Sequence, residues 1–305
     1  MHPFRFGVMS TGRPDGWAHF ARRVEDLGYD VLQVAQHFSL RSVPPLPAVA
    51  LAAAATSTLQ VGTLVLDNET THPAVVARDA AWLAAETDGR FELGIGAGWL
   101  GTDHTVVGAP WRCPADRVAR LDEALSLIRA CWAGEPTTFT GTHYRVDGLA
   151  NGSVTPAPPR ILVGGGGPRL LAVAARHADI VGIAPDMRSG RIGGAAARTV
   201  APDQVATKIE RVRALTAERV QPVVLHVALT AVLDRAATSR IEKTAAAFGL
   251  PPEEIDDVPS VLVGSTAEIV ERLRERRERL GFSYVSVPES ALDRLAPVVA
   301  ELAGT

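Results

Sequence analysis

The residues of this chain that could do chemistry sit where apolar, strand-like runs end. Gln36-His37 follows Tyr29–Ala35. An imidazole titrates near neutrality, so a histidine there can donate a proton or polarise a bound ring, although a lone histidine also reads as a satisfied polar side chain. Gly164-Gly165-Gly166-Gly167-Pro168 follows Ile161–Val163 and precedes a helical pattern. Glycines let the backbone approach a phosphate, and a helix N-terminus offers free N–H groups; a plain tight turn is the alternative. No Gly-Lys-Ser/Thr ending follows, which excludes a nucleoside-triphosphate loop. Gly96-Ala97-Gly98-Trp99-Leu100-Gly101 has GxGxxG spacing. In a dinucleotide-binding unit the last glycine opens a helix, but residues 102–114 read as loop. The better reading is a strand end where absent side chains let a flat ring lie against the backbone.

Those features need a scaffold, and the chain alternates short strand-like runs with helical patterns from end to end. The strands are expected at Phe4–Met9, Tyr29–Ala35, Leu59–Leu66, Phe91–Ile95, Ile161–Val163, Asp179–Ile183, Pro222–Leu233 and Ser283–Val287. The spacing predicts helices over Asp15–Leu27, Pro47–Ala55, Pro73–Glu86, Ala115–Trp132, Pro168–Arg176, Asp203–Glu218, Ser265–Leu280 and Ser290–Leu302. Pro73 suits a first helical position, and Ser265 with Glu268 has capping-box spacing. Repeated β–α units demand parallel strands and right-handed crossovers, and eight of them favour a closed (β/α)8 TIM barrel, one α/β domain over residues 1–305. Three stretches exceed the minimal unit: a small hairpin around Phe139–Tyr144, the Gly-, Ala- and Arg-rich segment Pro185–Pro202, and an extra helix at Ser239–Phe248. Long excursions after barrel strands build the mouth or a lid. His72 before Pro73 fixes the loop entering a helix, while Arg117, Arg120 and Glu123, at spacings of three, read as a salt-bridged face.

Composition narrows the function classes. The 305 residues are 47% hydrophobic, with 31 basic and 34 acidic side chains for a net charge of −3. Such a balance argues against nucleic acid or an anionic membrane as the main partner, both of which call for a concentrated basic face. The apolar run Ala48–Ala55 is far too short to span a bilayer, and the first ten residues lack a secretory apolar core, so a soluble, cytoplasmic protein is expected. Cys113 and Cys131 make neither a disulfide framework nor a zinc site, no His/Asp/Glu spacing resembles a metal site, and no Gly-x-Ser-x-Gly elbow occurs.

Taken together, these residues resemble the bacterial luciferase-like superfamily, and within it the coenzyme F420-dependent oxidoreductases. The resemblance is carried by Gln36-His37, by Val61–Leu66 followed by Thr71-His72-Pro73-Ala74, and by the run Gly89–Trp99. Ile161–Pro168, Val261–Ser265 and Glu271–Phe282 support it. It covers nearly the whole chain, Phe4 to Ala303. It implies a tricyclic ring held at the strand ends, with a bulge and a non-prolyl cis peptide behind the ring at Leu64–Val65. The implied cofactor contacts are His37, Leu64, Val65, Gly96, Ala97, Gly98 and Ile183, with the phosphate at Gly165, Gly166 and Gly167. His37 is the implied proton relay, and Trp99, Trp111 and Ser10 would shape the substrate pocket. Arg188 and Arg191 would pair with the carboxylates of the F420 tail. The chain departs from the sugar-phosphate dehydrogenase branch, which has acids where Gln36, Trp99 and Ser10–Arg13 stand here, and its phosphate-holding lysines have no counterpart.

The activity so implied is hydride transfer between the deazaflavin and a small organic substrate, in the direction of reducing an activated C=C, C=N or C=O bond. The runner-up is a monooxygenase using reduced FMN, which shares the ribityl-phosphate anchor. A degenerate barrel kept as a binding protein is the non-enzyme alternative. The resemblance also implies a homodimer.

Overall fold

The computed structural model describes residues 2–12, 16–134, 136–150, 157–191 and 193–305. Arg13 and Asp15, the latter the expected start of the first helix, lie outside the described residues. Strand β1 (Arg5–Ser10) pairs in parallel with β2 (Val31–Val34), and β2 with β3 (Gln60–Thr63). The third stave resumes as β4 (Leu66–Asp67) after a cis peptide at Leu64–Val65, and both halves pair with β5 (Phe91–Gly96). An antiparallel hairpin, β6 (Thr137–Thr140) and β7 (Arg145–Leu149), stands apart. The wall continues through β8 (Arg160–Gly165), β9 (Ile180–Ile183) and β10 (Val224–Ala228). A side ladder joins β11 (Ala231–Leu233) to β12 (Val261–Val263), and β13 (Phe282–Pro288) closes the wall between β10 and β1. The closed sheet has nine strand segments, and since β3 and β4 share a stave, eight staves: a (β/α)8 TIM barrel.

Helices α1 (Trp17–Asp26), α2 (Pro45–Ala55) and α3 (Pro73–Glu86) follow the first three staves, and α4 (Gly101–Val107) with α5 (Pro114–Ala133) follows the fourth. After them come α6 (Pro168–His177), α7 (Gly194–Ala197), α8 (Pro202–Thr216), α9 (Thr238–Phe248), α10 (Thr266–Leu280) and α11 (Leu292–Leu302). The longer outer helices turn an apolar stripe inward; in α1 it is Trp17, Phe20, Ala21 and Val24, at helical spacing. His72 caps α3, its Nδ1 accepting from the Ala74 amide at 3.2 Å, and Ser265 with Glu268 forms the capping box of α10.

Two expectations are corrected. The run Pro222–Leu233 is not one strand: the amides of Leu229 and Thr230 bond to Ser286 and Ser260, which carries the chain from the barrel wall into the side ladder. Residues 102–114 are not all loop. Gly101 opens α4, Asp103 in its first turn suits the positive helix end, and Gly108 ends it in the left-handed region (φ 68°). The barrel context still excludes a dinucleotide-binding unit.

The barrel interior is partly polar. His226 shares a 2.8 Å hydrogen bond with Ser286, whose hydroxyl donates to Gln33, and Arg5 bridges to Glu92 at 2.8 Å. Room for these groups comes from inward positions without side chains: a Cβ on Gly182 would lie 3.2 Å from the His226 ring, and one on Gly7 2.9 Å from both the Gln33 side-chain oxygen and the Ser286 hydroxyl. Among the described residues no helix is long and apolar enough to cross a membrane.

Candidate functional site

Strand C-termini converge at one end of the barrel, where catalytic groups of this architecture sit. His37 follows β2, and its Nδ1 lies 2.8 Å from Oδ2 of Asp103 on α4. The other carboxylate oxygen of Asp103 accepts from the amides of Phe38 (3.0 Å) and Ser39 (2.6 Å) and from the Ser39 hydroxyl (2.5 Å). Burial alone would raise the Asp103 carboxyl, but the Ser39 hydroxyl and amide, the His37 ring and the Phe38 amide hold it below its ordinary value. An ionised Asp103 keeps the proton on Nδ1 of His37 and leaves Nε2 as the basic atom. Trp99 meets His37 edge-on, with ring centroids 5.5 Å apart at 84°.

The next residue on α4 makes a second pair. His104 is fully buried, its Nε2 3.0 Å from Asp67 at the end of β4 and its Nδ1 3.2 Å from the Pro110 carbonyl. Burial pushes the Asp67 carboxyl up, against the opposing pull of the Glu69 amide and His104. Each ring nitrogen of His104 thus has a hydrogen-bond partner, which fixes the ring between the end of β4 and the stretch before α5. Gly98 belongs to this packing: it has φ 75°, and a Cβ there would lie 2.5 Å from Oδ1 of Asp67. Trp111 lies edge-on to His104 (4.8 Å), with the Arg117 guanidinium 3.9 Å from its ring centroid.

The other expected positions fall around the same mouth. Leu64 and Val65 are half-buried and pack on an interior cluster that includes Leu162, Ile180 and Tyr284. Gly96 makes room for them, since a Cβ there would meet Val65 at 2.9 Å, and Ala97 is buried at the end of β5. Ile183 ends β9. The turn Gly165–Gly167 leads into α6 and is tightly packed: a Cβ on Gly166 would stand 2.2 Å from the Ala184 carbonyl oxygen in the loop after β9, and one on Gly165 2.1 Å from Leu170 of α6 itself. Close packing, a reason the sequence did not suggest, therefore bars side chains at Gly165 and Gly166, and the turn delivers the N-terminus of α6, which has no side-chain cap. Lys208 braces that loop from below, donating to the carbonyls of Ala184 (2.9 Å) and Thr199 (2.7 Å), and burial lowers its amine to about 8.

Some groups are engaged differently from the sequence reading. Ser10 is buried, its hydroxyl donating to Glu289 at 2.6 Å and accepting from the Gly12 amide, so it braces the rim and brings a carboxylate to it. Arg188 folds back onto Asp186 at 2.9 Å, and Arg191 is exposed. Arg117, Arg120 and Glu123 do not pair with one another: Arg117 donates to the Gly98 carbonyl, Arg120 pairs with Glu69, and Glu123 accepts amides of the hairpin turn. Sequence reasoning missed Asp67, Asp103, His104 and Glu289. A cleft of about 500 Å³ lined by Arg5, Arg160 and Arg219 opens at the opposite, N-terminal end of the strands, away from this chemistry.

Comparison with known proteins adds the following. The family model described as luciferase-like monooxygenase matches residues 1–221. An F420-dependent glucose-6-phosphate dehydrogenase of Nakamurella multipartita is 31% identical over 187 residues, 58% of this chain and 55% of that protein. An F420-dependent hydroxymycolic acid dehydrogenase of Mycobacterium tuberculosis is 33% identical over 174 residues, 55% of this chain and 48% of that protein. The chain thus spans about half the length of the curated relatives it matches. The fold is that of an F420-dependent secondary alcohol dehydrogenase solved with an F420-acetone adduct, with a TM-score of 0.79, 17% identity and 99% of each chain covered.

Proposed function

This chain belongs to the luciferase-like monooxygenase family, and from that membership we propose that it is an F420-dependent oxidoreductase acting on a small organic substrate. The observation that carries the reading is the His37–Asp103 pair beside an apolar, glycine-edged strand mouth. Relatives named as F420-dependent dehydrogenases support the cofactor.

The residues present fit such a group. Leu64, Val65, Gly96, Ala97 and Ile183 offer a flat apolar seat, Gly98 the turn beside it, and Gly165–Gly167 with the α6 N-terminus suit the phosphate. When bound, F420 supplies a carbon that accepts or donates hydride. The protein's part is to hold the substrate against that seat, exclude water and manage a proton at Nε2 of His37. Asp103 fixes the imidazole for this task. Trp99 fills the space beside it, and Trp111 walls the mouth from the segment between α4 and α5.

Sugar phosphate is disfavoured as substrate, because Gln36 and Trp99 replace acids and Lys208, one of the two lysines in the chain, is spent on backbone carbonyls. The same reading has a cytoplasmic homodimer working in the direction of reduction. Parallel equilibrium titrations with F420 and FMN test it. Saturable quenching of F420 fluorescence with weaker FMN binding is expected, whereas preference for FMN transfers the chain to the oxygen-using rival.

A further inference from the structure

Large apolar side chains left in contact with water are unevenly placed. Among the described residues ten are exposed, and five of them, Phe38, Leu40, Val106, Val107 and Trp111, belong to two segments at the mouth. These segments are the loop after β2 and the stretch from α4 to Trp111. They are joined by the bonds of Ser39 to Asp103 and by a 3.0 Å contact between the Ser39 and Thr102 hydroxyls. Val106 and Val107 stand one turn beyond Thr102 and Asp103, on the same helix faces. Clustered exposed apolar groups around a polar centre mark a binding surface. The neighbouring charges are largely consumed: Arg112 pairs with Glu69 and Arg188 with Asp186. Arg41 is exposed next to Leu40.

We propose that the substrate has an apolar body, an alkyl or aryl group on an uncharged carbonyl or carbinol carbon. That body lies along the rim of Phe38, Leu40, Val106 and Val107 while the polar carbon reaches the His37 end of the mouth. This deepens the oxidoreductase reading and rests on its placing of His37.

The test is calorimetric binding of a series of methyl ketones, butanone to decanone, to the full chain. Affinity is expected to rise about two- to fourfold per added methylene while the body still finds rim to cover. Val107→Asp and, as a second variant, Leu40→Asp should flatten that rise, whereas Val220→Asp, exposed next to Arg219 at the opposite end of the barrel, should keep it. A flat series in the unaltered protein overturns the proposal. So does tighter binding of terminally carboxylated congeners, which would make Arg41 the contact, or a Val107→Asp effect confined to sedimentation, which would make the rim a contact between copies. F420 affinity measured on the same samples separates the two readings: a slope without F420 binding upholds the rim and removes the cofactor.

Discussion

Asp103 turns an isolated imidazole into an oriented one. The carboxylate takes one bond from the ring and three from residues 38 and 39, so the loop and the ring are set by a single group. Asp103→Asn should lower turnover by about 10²-fold, the usual weight of a positioned acid–base group, while F420 affinity changes little. A pH–rate profile is the discriminating readout, because a merely structural role would leave the apparent pKa of the surviving activity where it was. His37→Ala should lower turnover as well, with cofactor binding partly kept; unchanged turnover would mean the proton goes elsewhere. Of this residue set only His37 was legible in the sequence. Its partner is 66 positions away, in a stretch with no apolar periodicity, and a single sequence carries no signal linking the two.

At the scale of elements, α4 is the piece that sequence reasoning read as loop. Seven residues are too few to show a period. The signals it did carry were Asp103 near a positive helix end and Gly108 as a stop. Its two successive side chains tie it to two different staves, Asp103 to the end of β2 and His104 to the end of β4. His104→Ala should therefore destabilise the protein by about 1–3 kcal/mol, because it leaves the buried Asp67 carboxylate without that partner; urea midpoints measure this. The glycine turn is the complementary case, legible from composition alone but with a second role visible only in the fold. Gly166→Ala would force a methyl group against the Ala184 carbonyl. A cost of about 1–3 kcal/mol in stability together with weakened F420 binding is expected. Stability lost with affinity intact would confine the glycine to packing.

For the whole molecule, the alternation of strands and helices was enough to read eight staves and a closed barrel, since the period changes are long-range and repeated. The split of Pro222–Leu233 was not readable, because both halves are equally apolar and only pairing partners distinguish them. The polar barrel interior was also invisible, and it has a consequence for acid stability. Burial, with Arg5 nearby, pushes His226 down from 6.5 to about 3. Between those values the unfolded chain binds a proton that the folded one refuses, so stability is complete above about pH 6.5 and falls as the pH drops towards 3. One such group contributes a slope of about 1.4 kcal/mol per pH unit. His226→Asn should flatten urea-unfolding free energies against pH by about that amount between pH 6 and 4. An unchanged slope would mean the ring is already charged in its pocket.

An F420-dependent oxidoreductase of this geometry must take its cofactor at the glycine-edged strand mouth. Amide hydrogen exchange, followed residue by residue with and without F420, locates it directly. Protection is expected at Gly96–Gly98 and at Gly165–Gly167. Protection centred on Arg5, Arg160 and Arg219 at the other end of the barrel, or saturable binding that leaves both glycine segments exchanging as before, would contradict it.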